Sequence, residues 1–234
     1  MSIFRPIPST GKLPTVCVFD LDQTLMAGDS TVDWTKFLFK HGLVTDPHWR
    51  EVDEEMKRRY HAGTLNIRDY LRDVVPSFGY LTLSALAPHI TAFIDEYVRP
   101  TVYPEAYQTI AEAKALGMDL LIISATNSFL VEPIGKTVFG IERSLGVDLV
   151  IENDLLTGEI EGIPTFQEGK VLRLEQELIG LGKRMDEVVF FTDSHNDLPL
   201  AKVAGDCYCV NPDPVLKAQA QHHGWPILRW RVTD

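Results

Sequence analysis

The sequence predicts an α/β fold: a parallel sheet covered by helices on both faces, interrupted after its first strand by an all-helical insert. Three observations carry this. From residue 104 onward, short apolar runs alternate with stretches of helical periodicity, the pattern of strand–helix–strand crossovers. The run Val16-Cys17-Val18-Phe19 is continuously apolar, as a strand buried on both faces must be. Between residues 30 and 99, apolar residues recur at helical spacing and no clear strand is visible.

Taken in order, residues 1–14 contain Pro and Ser and predict a loose lead-in. Residues 16–25 are a strand and its acidic turn. Ala27-Gly28-Asp29-Ser30 breaks the pattern, and Asp29 or Ser30 is placed to cap a helix starting near Thr31. Trp34, Phe37 and Leu38, then Ile67, Tyr70, Leu71 and Val74, then Ile90, Phe93, Ile94 and Tyr97, outline helices. Residues 29–99 are therefore expected to form a helical cap, and 1–28 with 100–234 the core. Gly28 and Pro100 mark the hinges. Trp34 and Trp49 are expected to pack inside the cap. Further helices are expected over 104–116, 129–145, 168–181, 197–203 and 214–222. Strands are expected over 118–123, 148–151, 188–191 and 208–210, with a tight hairpin over 155–160 turning at Thr157-Gly158. The tail Trp225–Trp230 reads as a last strand or a partner surface.

The chain has 234 residues, 33 acidic against 22 basic, for a net charge of −11. That argues against non-specific attraction to nucleic acid or an anionic membrane. It also requires a local cation to draw in any phosphorylated substrate. Cys17, Cys207 and Cys209 lie in apolar runs without framework spacing, which predicts buried free thiols and a reducing compartment. No leader-like apolar stretch opens the sequence and no window reaches the length of a membrane span, so the expectation is a cytoplasmic protein. Monomer and homodimer are both open.

Open parallel sheets place their sites at the carboxyl ends of strands. Asp20 and Asp22 follow the first strand two residues apart, so in an extended chain their side chains point the same way. Like charges that close raise each other's pKa unless a cation relieves them. Ser124 follows the strand Leu121-Ile122-Ile123, and a hydroxyl there, with nearby backbone amides, can cradle an anion. Asn127 lies on the same turn. Lys170 opens a helix in Glu168-Gly169-Lys170, a position the helix dipole disfavours unless its ammonium serves an anion. Asp193 ends the strand Phe190-Phe191-Thr192, with His195, Asn196 and Asp197 just after it. Three carboxylates at one sheet edge suit a hard dication with oxygen ligands, and Mg²⁺ is the expected one.

The order Asp-x-Asp-x-Thr, Ser, Lys, Asp-x-x-x-Asp over residues 20–197 resembles the haloacid dehalogenase superfamily. A helical insert directly after the first motif, with Thr192-Asp193-Ser194-His195-Asn196-Asp197 and Asn211-Pro212-Asp213-Pro214, resembles its phosphoserine phosphatase-like branch. The resemblance implies a Mg²⁺-dependent phosphomonoesterase acting on a small phosphorylated metabolite. It implies Asp20 as nucleophile and Asp22 as acid and base. Asp20, the Asp22 carbonyl and Asp193 would hold the metal. Ser124, Lys170, Asn127 and Asn196 would meet the substrate, and Asp197 would orient Lys170 or metal-bound water from behind. His195 is expected to be a solvated loop residue. Gln23, Ala125 and Thr192 depart from residues frequent in that branch, and none removes a charged group. Asp29 stands where phosphoserine phosphatases carry a Glu that meets the substrate amine, and Asp33 is one helical turn further on. A carboxylate on the substrate would need a cation, for which Lys57, Arg58, Arg59 and Arg68 are candidates. Phosphoserine and histidinol phosphate are the two named substrates. The alternatives are a non-hydrolytic phospho-receiver and a catalytically silent phosphate-binding scaffold.

Overall fold

A computed structural model describes residues 2–44, 51, 52, 55, 58, 59, 62, 64 and 66–232. Its centre is a six-stranded sheet in the order β3-β2-β1-β6-β7-β8, with every pairing parallel. The strands are β1 (Val16–Phe19), β2 (Asp119–Asn127), β3 (Arg143–Val147), β6 (Val188–Thr192), β7 (Asp206–Val210) and β8 (Ile227–Leu228). A separate antiparallel pair joins β4 (Leu149–Glu152) to β5 (Leu155–Ile160).

The apolar run of β1 divides between two cores. Cys17 and Phe19 join one cluster with Ile122, Val189 and Phe191. Val16 and Val18 join the other with Leu121, Ile123, Val188 and Phe190. Period-two alternation sends neighbours to opposite faces, so a strand covered on both sides must be apolar at every position. The second face is closed by α6 (Glu168–Leu181) through Leu174 and Leu178, α7 (Leu198–Val203) through Leu200, and α8 (Pro214–His223) through Leu216 and Ala220.

The first face is closed by α4 (Pro104–Ala115) through Ala106, Ile110 and Ala113, and by α5 (Ser128–Ile134) through Leu130 and Val131. The same cluster continues into the helices that follow β1, namely α1 (Ser30–Lys40), α2 (Ile67–Val74) and α3 (Leu83–Phe93). Trp34 is its hub there, with ring centroids 5.5 Å from Phe37 and 5.3 Å from Phe93. Trp49 lies outside the described residues. Where the chain leaves and re-enters the sheet region, Met26 and Val102 form an antiparallel bridge, and Ala27 N–H donates to the Thr101 carbonyl.

Three expectations are corrected. The helix expected over 129–145 stops early: α5 ends at Ile134, one wider turn runs to Phe139, and Gly140 turns left-handed at φ +61°. The chain then forms the edge strand β3, whose buried residues read as helix because its Ser144 and Gly146 interrupt the apolar run. The hairpin turn is not Thr157-Gly158. It is Asn153-Asp154, both at positive φ (52° and 67°), a conformation short Asx side chains tolerate. Gly158 instead lies inside β5, where a Cβ would come 3.0 Å from the Leu71 carbonyl of α2. Finally, β2 does not end at Ser124 but continues to Asn127.

The tail is a strand. β8 pairs in parallel with β7, and Trp230 is buried, stacked on Phe191 at 6.3 Å. The Asn211 side chain grips Trp230 by both backbone groups, at 3.0 and 3.2 Å. All three cysteines are buried and free. Among the described residues, no helix is long and apolar enough to cross a membrane. Trp230→Ala should cost about 3–5 kcal/mol, as other buried Trp truncations do, read as a lower denaturant midpoint.

Candidate active site

The carboxyl ends of β1, β2 and β6 meet at one edge of the sheet. β1 pairs with β2 and β6 in register, so residues 20, 123–124 and 192–193 arrive there together. Onto this edge α6 delivers Lys170. The Lys170 ammonium lies 2.8 Å from Asp20 Oδ1 and 2.6 Å from Asp197 Oδ1. All three side chains are buried, with exposures of 3%, 9% and 4%. Thr192 Oγ1 donates to the other Asp197 oxygen at 2.7 Å.

The local chain is shaped to bring Lys170 there. Gln167 has φ +50° and ψ −122°, and Gly169 N–H donates to the Phe166 carbonyl at 2.9 Å. That is a type II′ turn with Gln167 at a position normally taken by glycine. The Gln167 side chain is not spent on capping the helix. It reaches the Asn196 amide oxygen at 3.3 Å. Gly169 has no substitute, because a Cβ would stand 1.9 Å from the Pro164 carbonyl. Thr165 ties the same loop to the Ser124 carbonyl at 2.5 Å.

Asp20 and Asp22 do not share partners, although they lie close enough to influence each other. Asp22 Oδ1 accepts the Ser30 N–H at 2.6 Å, and Oδ2 accepts the Thr126 hydroxyl at 2.8 Å and, weakly, that of Ser124 at 3.4 Å. Asp193 Oδ1 accepts the Thr24 hydroxyl at 3.1 Å. Gln23, directly after Asp22, has φ +58°, the reason a glycine would be at ease in its place.

The electrostatics follow from burial. Asp20 is raised to about 7, first by desolvation, partly offset by Lys170, then raised again by Asp197 and Asp22. Asp22 is raised to about 6 by desolvation and by the Asp29 charge, against hydrogen bonds from Ser30 and Thr126. Asp193 is pushed well above the usual carboxylate range by desolvation, Asp20 and Asp197. Lys170 is held above its ordinary value: desolvation lowers it, but Asp197 and Asp20 outweigh that. Together these acids outnumber the single ammonium.

The remaining expected residues divide. Asn196 is buried at the edge of the cluster. Asn127 is buried, and its Oδ1 has no hydrogen-bond partner among the described residues. Asp29 caps α1 by accepting from Val32 N–H at 3.0 Å, and its charge reaches Asp22. Asp33 pairs with Lys36 at 2.6 Å. His195 is not simply solvated. Its Nδ1 lies 2.9 Å from Asp213 Oδ2, which also accepts its backbone N–H at 2.6 Å. Asp213 is depressed despite partial burial, because Leu216 and His195 donate to it. A cleft of about 260 Å³ beside Asp193 is lined by Gln23, His195, Asn196, Asp213 and Val215.

Thr126, Thr192 and Asp213 were not singled out as site residues from sequence. Thr126 had a signal: it is two residues after Ser124 in one strand, and so shares its side.

The profile of the haloacid dehalogenase-like hydrolases matches residues 17–202. The chain belongs to that family. It is 32% identical over 223 residues to a histidinol-phosphatase of Neisseria meningitidis serogroup C, covering 94% of this chain and 100% of that one. A solved protein of unknown function from Bordetella pertussis Tohama I superposes with TM-score 0.84 at 31% identity, over 91% and 97% of the two chains. A phosphoserine phosphatase solved as a phospho-aspartyl intermediate analogue superposes with TM-score 0.67 at 22% identity, over 92% of each chain, which shows a shared fold. The enzyme is a phosphatase of this family.

Asp20→Asn should melt higher than the native protein at pH 8 without divalent ions. A carboxyl raised when folded loses stability as pH rises through its folded value, near 7 here. Melting curves across pH should show the advantage vanish toward pH 4, where both side chains are neutral.

Proposed function

We propose that this enzyme hydrolyses phosphomonoesters with Mg²⁺, through an aspartyl-phosphate at Asp20. The observation that carries the reading is the buried chain Asp20–Lys170–Asp197, with a second acid, Asp22, held apart in its own hydrogen-bond set.

The donors suit Mg²⁺. They are all oxygen, and the Asp20 charge raises the proton affinity of Asp193, a repulsion that a dication would relieve. Among the described residues, no three acidic, His or Cys side chains form a closed cage. Two carboxylates and the Asp22 carbonyl suit an ion that keeps water and a substrate oxygen among its ligands. When bound, Mg²⁺ supplies positive charge that keeps Asp20 ionised and offsets the phosphoryl charge.

Lys170 occupies Asp20 Oδ1, leaving Oδ2 for attack. The new bond joins this oxygen to phosphorus, and the bond to the leaving alkoxide breaks. Asp22 gives that alkoxide its proton. A water then attacks phosphorus while Asp22 takes its proton, the bond from phosphorus to Asp20 breaks, and inorganic phosphate leaves with the Asp20 carboxylate regenerated. A value near 6 lets Asp22 act in both directions close to neutrality. Ser124, Lys170 and Asn196 would bind the phosphoryl oxygens, and Asn127 the rim of the substrate. Asp197, fixed by Thr192, would hold Lys170 in line.

For the leaving group, we favour an amine without a carboxylate, as in histidinol phosphate. Asp29 supplies negative charge beside Asp22. The described cations of the expected cap are turned to acids: Lys36 to Asp33, Arg58 and Arg59 to Glu55, Arg72 to Asp69 and Glu159. Arg68 is exposed, and Lys57 lies outside the described residues. The Neisseria relative bears the name of the same activity.

Phosphate release from a panel of small esters with Mg²⁺ should proceed with multiple turnovers and fall to background with chelator. Turnover surviving in Asp20→Asn would remove Asp20 as nucleophile. Asp29→Ala should raise KM for histidinol phosphate roughly tenfold and leave that for p-nitrophenyl phosphate near native, since a charged hydrogen bond is worth about 1.5–3 kcal/mol. Higher kcat/KM for phosphoserine than for histidinol phosphate would reverse the substrate assignment.

A further inference from the structure

Three hydroxyls from two distant parts of the chain gather beside Asp22, centred on Thr126. Thr126 Oγ1 lies 2.8 Å from Asp22 Oδ2, 3.1 Å from Ser30 Oγ and 3.0 Å from Thr31 Oγ1. Thr126 and Ser30 are buried, at 3% and 0% exposure. The hydrogens can be assigned by counting. A threonine hydroxyl has one proton and two lone pairs, and an ionised carboxylate only accepts. Thr126 therefore gives its proton to Asp22. Ser30 and Thr31 must then donate to Thr126, filling both of its lone pairs. Ser30 N–H meanwhile holds the other carboxylate oxygen at 2.6 Å.

We infer that Thr126 is a positioning residue for Asp22, and that Ser30 and Thr31 make its hold depend on α1 being seated against β2. The inference rests on the acid–base role proposed for Asp22. Thr126 belongs to the sheet and Ser30 and Thr31 to the first turn of the insert, so the carboxyl is fixed only where the two meet. Each carboxyl oxygen has two acceptor sites. Oδ2 can thus accept from Thr126 and still carry a proton for the leaving oxygen. Small displacements of a catalytic group are costly to rate, so this second point of attachment bears on turnover. Ser124, on the same strand, is a weaker partner at 3.4 Å.

The test uses leaving groups that differ in their need for a proton. kcat/KM, which reports the first half-reaction, is measured for an alkyl phosphate and for p-nitrophenyl phosphate. The first leaving group needs a proton and the second departs as a stable phenolate. Asp22→Asn should lower the alkyl value far more than the aryl one. Thr126→Val should show the same selectivity, roughly tenfold or more, a part of the ~10²–10⁴-fold that general acids contribute. Thr126→Ser, which restores the hydroxyl, should return close to native. Thr126→Ala gives the same comparison if the valine variant does not fold. Equal losses on both esters in the Thr126 variants, with Asp22→Asn still discriminating, would overturn the inference alone. Failure of Asp22→Asn to discriminate would overturn the acid assignment, and the inference with it.

Discussion

A single ammonium held between two buried carboxylates organises this molecule. Lys170 bonds to Asp20 and Asp197 in a place where none of the three is more than 9% exposed. Charges removed from water are tolerated only when paired and hydrogen-bonded. The surrounding chain enforces that pairing. Gly169 lets the backbone press against Pro164, Gln167 accepts a glycine-like turn, and Thr192 fixes the far side of Asp197. Removing the ammonium would leave two buried carboxylates without their shared cation, so its loss would cost stability.

The second constraint is the separation of the two motif acids. Asp20 leans on a cation, whereas Asp22 is held by neutral donors and sees the negative charge of Asp29. Neighbouring carboxylates given unlike surroundings can take unlike roles. The surroundings of Asp22 come from three places: the strand after Ser124, the first turn of α1 and the motif loop itself. This holds the Asp22 carboxyl at the junction where α1 meets β2.

Much of this was legible in residue order. The apolar run of β1, the acids following it and Asp193 lie at strand ends, where parallel sheets place their sites, while Lys170 lies at the start of α6 and Ser124 within β2. The failures have physical causes. Asn153 and Asp154 took left-handed turn positions that Gly158 was expected to fill, since Asx side chains also tolerate them. β3 was hidden because Ser and Gly in a buried edge strand carry no apolar signal. His195 was read as solvated because its partner, Asp213, is 18 residues away.

Residue types and their spacing alone determined the layered fold and the chemistry on offer: carboxylates after two strands, a hydroxyl on a third and one lysine at a helix start, because period-two burial and turn chemistry are local. Which oxygen faces which donor was decided by tertiary structure. Asp20 met Lys170 across 150 positions, and Asp22 met Thr126 across 104. No local rule reaches that far. Only the close packing of α1, β2 and α6 around the end of β1 could assign those partners.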